Sequence, residues 1–180
     1  MAIIPDTKDW TWVLQRPCPE CGFDTMGFPA EAVPGMIMAN AAAWQAALDG
    51  ASDVRARPEL GKWSPLEYAC HVRDVFRLYD QRLELMLGQD DPRFPNWDQD
   101  ETAVADRYGE QDPEAVGGQL AEAAAALAAS FDAVSGDQWL RPGRRSDGAA
   151  FTVETFARYF VHDPVHHLYD VTGVGHPVTA

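Results

Sequence analysis

The sequence is short of basic side chains. Its 180 residues carry 14 lysines and arginines against 28 aspartates and glutamates, for a formal net charge of −14. A chain this acidic repels phosphate backbones, and its densest basic group, formed by Arg141, Arg144 and Arg145, is too small for a nucleic-acid footprint. We therefore expect no binding to DNA or RNA.

Long apolar runs are missing as well. No segment approaches the roughly 20 consecutive apolar residues that a membrane-spanning helix needs. Residues 1–24 lack the cationic start and the continuous apolar core of a signal peptide. We expect a cytoplasmic protein without membrane contact, folded as a single domain over residues 1–180, which is long enough to bury its own core.

Cysteine is scarce, with three residues in the chain. An odd number in a reducing compartment argues against a disulfide framework. Cys18 and Cys21 form a C-x-x-C pair, which is half of a structural zinc site, and no second C-x-x-C completes it. We interpret the pair as reduced and packed, with partial metal binding or a reversible disulfide as alternatives, and Cys70 as a small buried residue.

Several catalytic motifs are absent. The chain contains no G-x-S-x-G, no P-loop and no dinucleotide-binding fingerprint, which excludes α/β-hydrolase elbows and nucleotide-binding folds. The chemistry of this protein must therefore depend on other side chains.

Four segments combine helical periodicity with boundary signals, and we predict helices over 32–49, 65–87, 113–134 and 153–172. The clearest signal is the stretch "WSPLEY", where Ser64 is the N-cap, Pro65 is the first helical residue and Glu67 completes a capping box.

The segments between these helices are less regular in sequence. We expect an irregular leader over 1–31, and a long acidic connection between the second and third helices in which Trp97 is a candidate pocket lid. Four amphipathic helices of this kind predict an all-α fold: an antiparallel four-helix bundle with one long crossover loop.

Three of the five histidines lie in the stretch "HDPVHH". His162 and His166 have the i, i+4 spacing that puts two imidazoles on one helix face. Two such ligands, completed by a third from another helix, are typical of zinc and nickel sites with an open position. Helical wheels place His71, His162 and His166 beside the apolar stripes, which fits either a metal site at the mouth of the bundle or a polar surface without metal.

Two carboxylates have the spacing to support these imidazoles. Asp74 follows His71 by three residues and Asp170 follows His166 by four, so either could accept the spare ring N–H. Pro164 lies between the two histidines of the last helix and lacks the N–H of a regular turn. It therefore predicts a bend or a local bulge there.

The stretch "WSPLEYACHVRDVFRLYDQRLELML", followed in the last helix by "HDPVHHLYDV", resembles the DinB-like superfamily. The resemblance implies a four-helix bundle with a divalent metal ion, zinc or nickel. Carried over by position, the ligands would be His71, His162 and His166. His167 would then support the ligands, face the substrate or act as a packing neighbour.

The resemblance also implies a function, because this superfamily includes YfiT-like metal-dependent hydrolases and bacillithiol- and mycothiol-dependent transferases and isomerases. The leading expectation is a thiol-dependent S-transferase or isomerase, in which the metal activates a small-molecule thiol toward an electrophilic substrate. Metal-dependent hydrolysis of the substrate by water is one alternative, and a non-catalytic metal- or ligand-binding stress protein is another. Related bundles often dimerise, which makes a homodimer an expectation too. The sequence identifies no catalytic residue beyond the ligands.

Overall fold

Helices make up most of the chain. The computed structural model describes residues 9–176, in which the helices are α1 Val33–Gly50, α2 Pro65–Gly88, α3 Gln99–Ala105, α4 Pro113–Asp132 and α5 Val153–Thr172. The four long helices begin and end within two residues of the ranges that the sequence predicts. No helix in this part of the chain combines the length and apolarity that crossing a bilayer requires.

The capping box predicted at the start of α2 is present. The Ser64 hydroxyl accepts from the Glu67 N–H at 3.3 Å, and the Glu67 carboxylate accepts from the Ser64 N–H at 2.8 Å. Arg57 also donates to that carboxylate, at 2.9 Å. Because His71 follows four residues after Glu67, this anchored first turn fixes where the histidine emerges.

Helix α5 continues through its internal proline. It is α-helical at every residue, with no π turn at Pro164, and ends at Gly173 in a left-handed conformation (φ 70°). The Pro164 carbonyl accepts from Asn40 Nδ2 at 3.2 Å and from Trp44 Nε1 at 3.3 Å. Two side chains of α1 therefore hold α5 at its proline.

The four long helices surround an aromatic core. Helices α4 and α5 each pack against both α1 and α2. Fully buried rings fill the interior, among them Trp44, Phe76, Phe131 and Phe160. Each such ring contributes about 1.5–3 kcal/mol relative to an exposed one. This packing places the inner edge of α5 beside α2.

A small sheet departs from the predicted all-α class, so the fold is mostly helical. Strands β1 (Pro142–Arg144) and β2 (Ala150–Thr152) pair antiparallel, with Gly143 opposite Phe151. A Cβ on Gly143 would lie 2.7 Å from the Phe94 ring, so only glycine fits. Three-residue strands are too short to show the alternation by which strands are recognised in a sequence.

The connecting segments are also more ordered than predicted. The long connection between α2 and α4 contains α3, whose N-cap Asp98 accepts from two backbone N–H groups at 3.0 and 2.9 Å. The leader, described from residue 9, contains 3₁₀ turns at Trp10–Leu14 and Ala30–Ala32. Both segments cover faces of the bundle that would otherwise be exposed.

Removing the α2 cap should lower stability. Ser64→Ala is expected to reduce the free energy of unfolding by about 1 kcal/mol, because the first turn of α2 loses a buried acceptor for its N–H groups. Urea unfolding followed by circular dichroism measures this. Ser130→Ala, inside α4, is the matched control and should change stability little. Equal midpoints for both variants would show that the cap contributes nothing.

Candidate metal centre

Two successive turns of α5 carry four side chains that can bind a metal ion. They form two i, i+4 pairs offset by one residue, His162 with His166 and Asp163 with His167, so the pairs point about 100° apart around the helix. The structure brings each pair to a different partner. We call His71, Asp163 and His167 the His71 cluster, and Cys18, Cys21, His162 and His166 the cysteine cluster; within each, the ligand atoms lie within 4.8 Å of one another.

The predicted ligand set is therefore divided between these clusters. His162 and His166 lie together, as their spacing predicts, with ring centroids 5.0 Å apart. His71 lies instead with Asp163 and His167. The structure thus places His167 among the candidate ligands, and adds Asp163, which the sequence analysis missed.

His71 is enclosed by aromatic rings. Its side chain is fully buried, with the Trp63 ring 5.1 Å away and the Trp97 ring stacked on it at 5.5 Å. Within residues 9–176 the Nδ1 atom has no hydrogen-bond partner, and Nε2 has only a long contact of 3.5 Å with Asp163. Burial lowers the pKa of His71, which favours the neutral imidazole with a lone pair available. A buried polar group without a partner is costly, and a bound cation would satisfy it.

Asp163 lies between the two histidines of its cluster. Its Oδ1 atom is 3.5 Å from His71 Nε2, and its Oδ2 atom is 3.8 Å from His167 Nε2. Ligand atoms bound tetrahedrally to zinc at about 2.0–2.2 Å would be about 3.4 Å apart. Oδ1 is buried and has no hydrogen-bond partner in the described residues. These atoms therefore fit a divalent ion.

The charge of Asp163 also fits. Burial raises the pKa of Asp163, but the neighbouring His167 and His71 together lower it by more than that. The resulting pKa is about 2. The group is therefore an ionised carboxylate at neutral pH, as a metal ligand must be.

His167 is oriented by a carboxylate. Its Nδ1 atom lies 3.1 Å from Asp170 Oδ2, which leaves Nε2 directed at the cluster. A carboxylate on the far nitrogen of a ligating histidine is a common arrangement in metal sites. The other predicted supporting carboxylate, Asp74, pairs instead with Arg73 and accepts from the Tyr108 hydroxyl at 2.6 Å.

The cysteine cluster is buried between the leader, which carries Cys18 and Cys21, and α5. His162 and His166 are only 4% and 6% exposed, because Trp10 packs on both rings, at centroid distances of 5.3 and 5.1 Å. Helical wheels do not include the leader, and they placed both histidines on a rim or polar face. The leader closes over that face.

A cavity of about 610 Å³ adjoins both clusters, and Trp97 lies in its wall. The two basic side chains in the cavity wall form ion pairs: Lys62 with Glu59 at 2.8 Å, and Arg145 with Asp147. Acidic side chains outnumber basic ones in the lining of the cavity. The acidic residues are Glu20, Asp98, Asp100, Asp163 and Asp170. The cavity is of the size that binds small molecules, and its potential is negative.

Comparisons with known proteins identify the family and the fold of this chain. The sequence profile of the DinB superfamily matches residues 37–171, which confirms the resemblance. Among solved structures, YfiT from Bacillus subtilis has 18% sequence identity and a TM-score of 0.75, with 81% of this chain and 85% of that chain covered. YfiT is described as a probable metal-dependent hydrolase with an unusual four-helix bundle topology. At this identity the likeness shows a shared fold. No curated protein matches the chain.

Neutralising the carboxylate behind His167 should weaken metal binding. Asp170→Asn is expected to reduce the affinity of the His71 cluster by about 10–100-fold, because the asparagine no longer holds His167 in the right tautomer and orientation. A metal titration of the full chain, monitored by competition with a chromogenic chelator, measures the change.

The control uses the other carboxylate beside α5. Glu20 lies 3.6 Å from His166 Nε2 and is not part of the His71 cluster, so Glu20→Gln should leave that affinity unchanged. Both substitutions are made in a chain with Cys18 and Cys21 replaced by serine. The His71 cluster is then the one cluster that keeps its full ligand set. Equal metal affinities of the Asp170→Asn and Glu20→Gln variants would show that Asp170 does not support the metal site.

Proposed function

Because the chain belongs to the DinB superfamily, we propose that it is a metal-dependent hydrolase whose divalent ion is held by His71, Asp163 and His167. One observation carries the proposal. His71 Nε2 and Asp163 Oδ1 are buried 3.5 Å apart, neither has another hydrogen-bond partner in the described residues, and Asp163 lines the cavity. The description of YfiT as a probable metal-dependent hydrolase supports it.

Three protein ligands are the number that leaves a zinc ion open to a reactant. A bound ion would supply Lewis acidity, polarising a substrate carbonyl and lowering the pKa of water. Two histidines and one carboxylate occur in zinc hydrolases and also in non-haem iron oxygenases. Zinc and nickel remain the predicted ions, and elemental analysis distinguishes them from iron.

The side chains around the ion have separate tasks. Asp170 keeps the proton of His167 on Nδ1, so Nε2 stays available as a ligand. Trp63 and Trp97 exclude water from His71 and fix its ring plane. Asp163 supplies the negative charge that offsets part of the charge of a dication. The site is thus held in shape by the protein before any substrate arrives.

The cavity favours particular substrates. Its acidic residues outnumber its bases, and both bases are already paired. A polyanionic substrate would be repelled, so we infer a neutral or cationic small molecule with a hydrolysable ester or amide bond. A cavity beside a three-ligand site favours an enzyme over a scaffold protein, whose metal would be fully coordinated.

Thiol-dependent transfer stays a prediction from the resemblance. A metal centre that lowers the pKa of water also lowers that of a thiol, so the same residues would serve either reaction. No contact in the described residues identifies a thiol-binding subsite. The two reactions therefore have to be separated by assay. The predicted homodimer and cytoplasmic location also remain predictions.

Removing His71 should abolish activity and the ion of the His71 cluster. His71→Ala is expected to lose about one ion per chain and to lower hydrolysis of neutral or cationic model esters, lactones and amides at least about 100-fold, because two ligands alone bind a dication poorly. Elemental analysis and a hydrolysis assay of ion-loaded protein measure this. His176→Ala, an exposed histidine outside both clusters, is the control and should retain both properties.

Three outcomes would contradict the hydrolase. One is an unchanged number of bound ions per chain in the His71→Ala variant. Another is bound iron with oxygen consumption. A third is conjugation of model electrophiles with bacillithiol, mycothiol or glutathione by an ion-loaded chain that hydrolyses none of the model substrates, which would establish the transferase instead.

A further inference from the structure

The leader folds into a tight turn against α5. Gly22 adopts a left-handed conformation (φ 75°), its N–H donates to the Cys18 carbonyl at 2.8 Å, and the Cys18 N–H donates to the Phe23 carbonyl at 2.9 Å. This turn buries both thiols, since Cys18 is 0% exposed and Cys21 is 1% exposed. The short C-x-x-C spacing therefore delivers two sulfur atoms to one side of the chain.

Each thiol faces a different histidine of α5. Cys18 Sγ lies 3.7 Å from His166 Nδ1, and Cys21 Sγ lies 3.8 Å from His162 Nε2. Sulfur and nitrogen ligands bound tetrahedrally to zinc, at about 2.3 and 2.0–2.1 Å, would be about 3.6 Å apart. All four ligand atoms lie within 4.8 Å of one another. The spacing is close to that of a four-coordinate zinc ion.

We propose that Cys18, Cys21, His162 and His166 form a second metal site: a closed, structural Cys₂His₂ zinc site that fastens the leader to α5. It is separate from the His71 cluster in ligands and in task. The lone C-x-x-C provides half of a zinc site. His162 and His166 of α5, far away in sequence, provide the other half.

The charges of this site balance. Binding of Zn²⁺ releases two protons, one from each thiol, and the two thiolates then neutralise the ion, while both imidazoles bind in their neutral form. A centre without net charge costs less free energy to bury than a charged centre does. Thiolate ligands select zinc over magnesium, calcium or manganese. Four protein ligands complete the tetrahedron and leave no open position for a reactant.

The surroundings support the histidine ligands. With Nδ1 of His166 facing the thiol, its Nε2 lies 3.6 Å from Glu20 and 3.9 Å from Asp170, so two carboxylates lie beside the remaining N–H. The backbone N–H of His176 donates to the Cys21 carbonyl at 2.7 Å. A zinc ion here would join the leader to α5, and the leader in turn holds the segment that follows α5.

Zinc at this site would also shape the cavity. Trp10 packs on the two histidine rings and lines the cavity at the same time. Securing the leader therefore keeps one wall of the cavity in place. This role is structural and requires no reaction at the cysteine cluster.

Cobalt substitution tests the proposal on the wild-type chain. Co²⁺ replaces Zn²⁺ in tetrahedral sites, and thiolate ligands produce a sulfur-to-cobalt charge-transfer band in the near ultraviolet that nitrogen and oxygen ligands do not. We expect this band, with intense visible bands of tetrahedral cobalt, in the cobalt-loaded full chain. Cobalt-loaded wild-type protein without the charge-transfer band overturns the proposal, and this result needs no variant to fold.

Variants assign the band to its residues. Changing both leader cysteines, Cys18→Ser with Cys21→Ser, should abolish the band, lower bound zinc by about one ion per chain and lower the melting temperature. Cys70→Ser is the matched control, since Cys70 is equally buried but contacts Tyr108 and Gln111. That chain should keep the band and the zinc.

The two metal sites can fail independently. His71→Ala should keep the charge-transfer band, because His71 is not part of the cysteine cluster. A band that persists without the leader cysteines, or that is lost with Cys70→Ser, overturns the structural zinc site. Neither result bears on metal binding by the His71 cluster, which is measured by the ion that remains in the chain without leader cysteines.

Discussion

The rotation of 100° per residue along α5 is the constraint on which both candidate metal sites depend. Adjacent residues of a helix cannot point to the same partner, so His162 and Asp163 face different elements, and so do His166 and His167 one turn later. One pair meets the leader and the other meets His71 of α2. Two chemically distinct sites, one sulfur-rich and one carboxylate-containing, therefore arise from six consecutive residues.

That division holds only if α5 is fixed about its own axis. Two donors from α1 bind the Pro164 carbonyl at the midpoint between the ligand pairs, and the capping boxes at Ser64 and Thr152 set where α2 and α5 begin. Within residues 9–176, this rigid frame holds the His71 nitrogens and the buried Asp163 oxygen without further hydrogen-bond partners. Buried polar atoms without partners cost free energy in the metal-free chain, which is the condition under which ion binding stabilises a fold.

Local signals made the helices and part of the site predictable. Caps, apolar periodicity and the i, i+4 spacing identified the four long helices and the pairing of His162 with His166, and the family resemblance pointed to His71. The apolar stripe of α5 also distinguishes the second pair, because Asp163 and His167 lie about 60° and 20° around the helix from Phe160, at the edge of the stripe and within it. Long-range packing of the leader and the three-residue strands has no comparable local signal, so neither the cysteine cluster nor the sheet could be predicted.

The interleaving of two donor pairs restricts how this segment can change over evolutionary time. Substitution at one position would damage one cluster and spare the other, whereas inserting or deleting one residue between Val161 and Leu168 would turn the later donors of both clusters away from their partners together. Length variation should therefore be confined to the connections outside α5. Two sites that are chemically independent are inherited as one unit, because they share a single helical register.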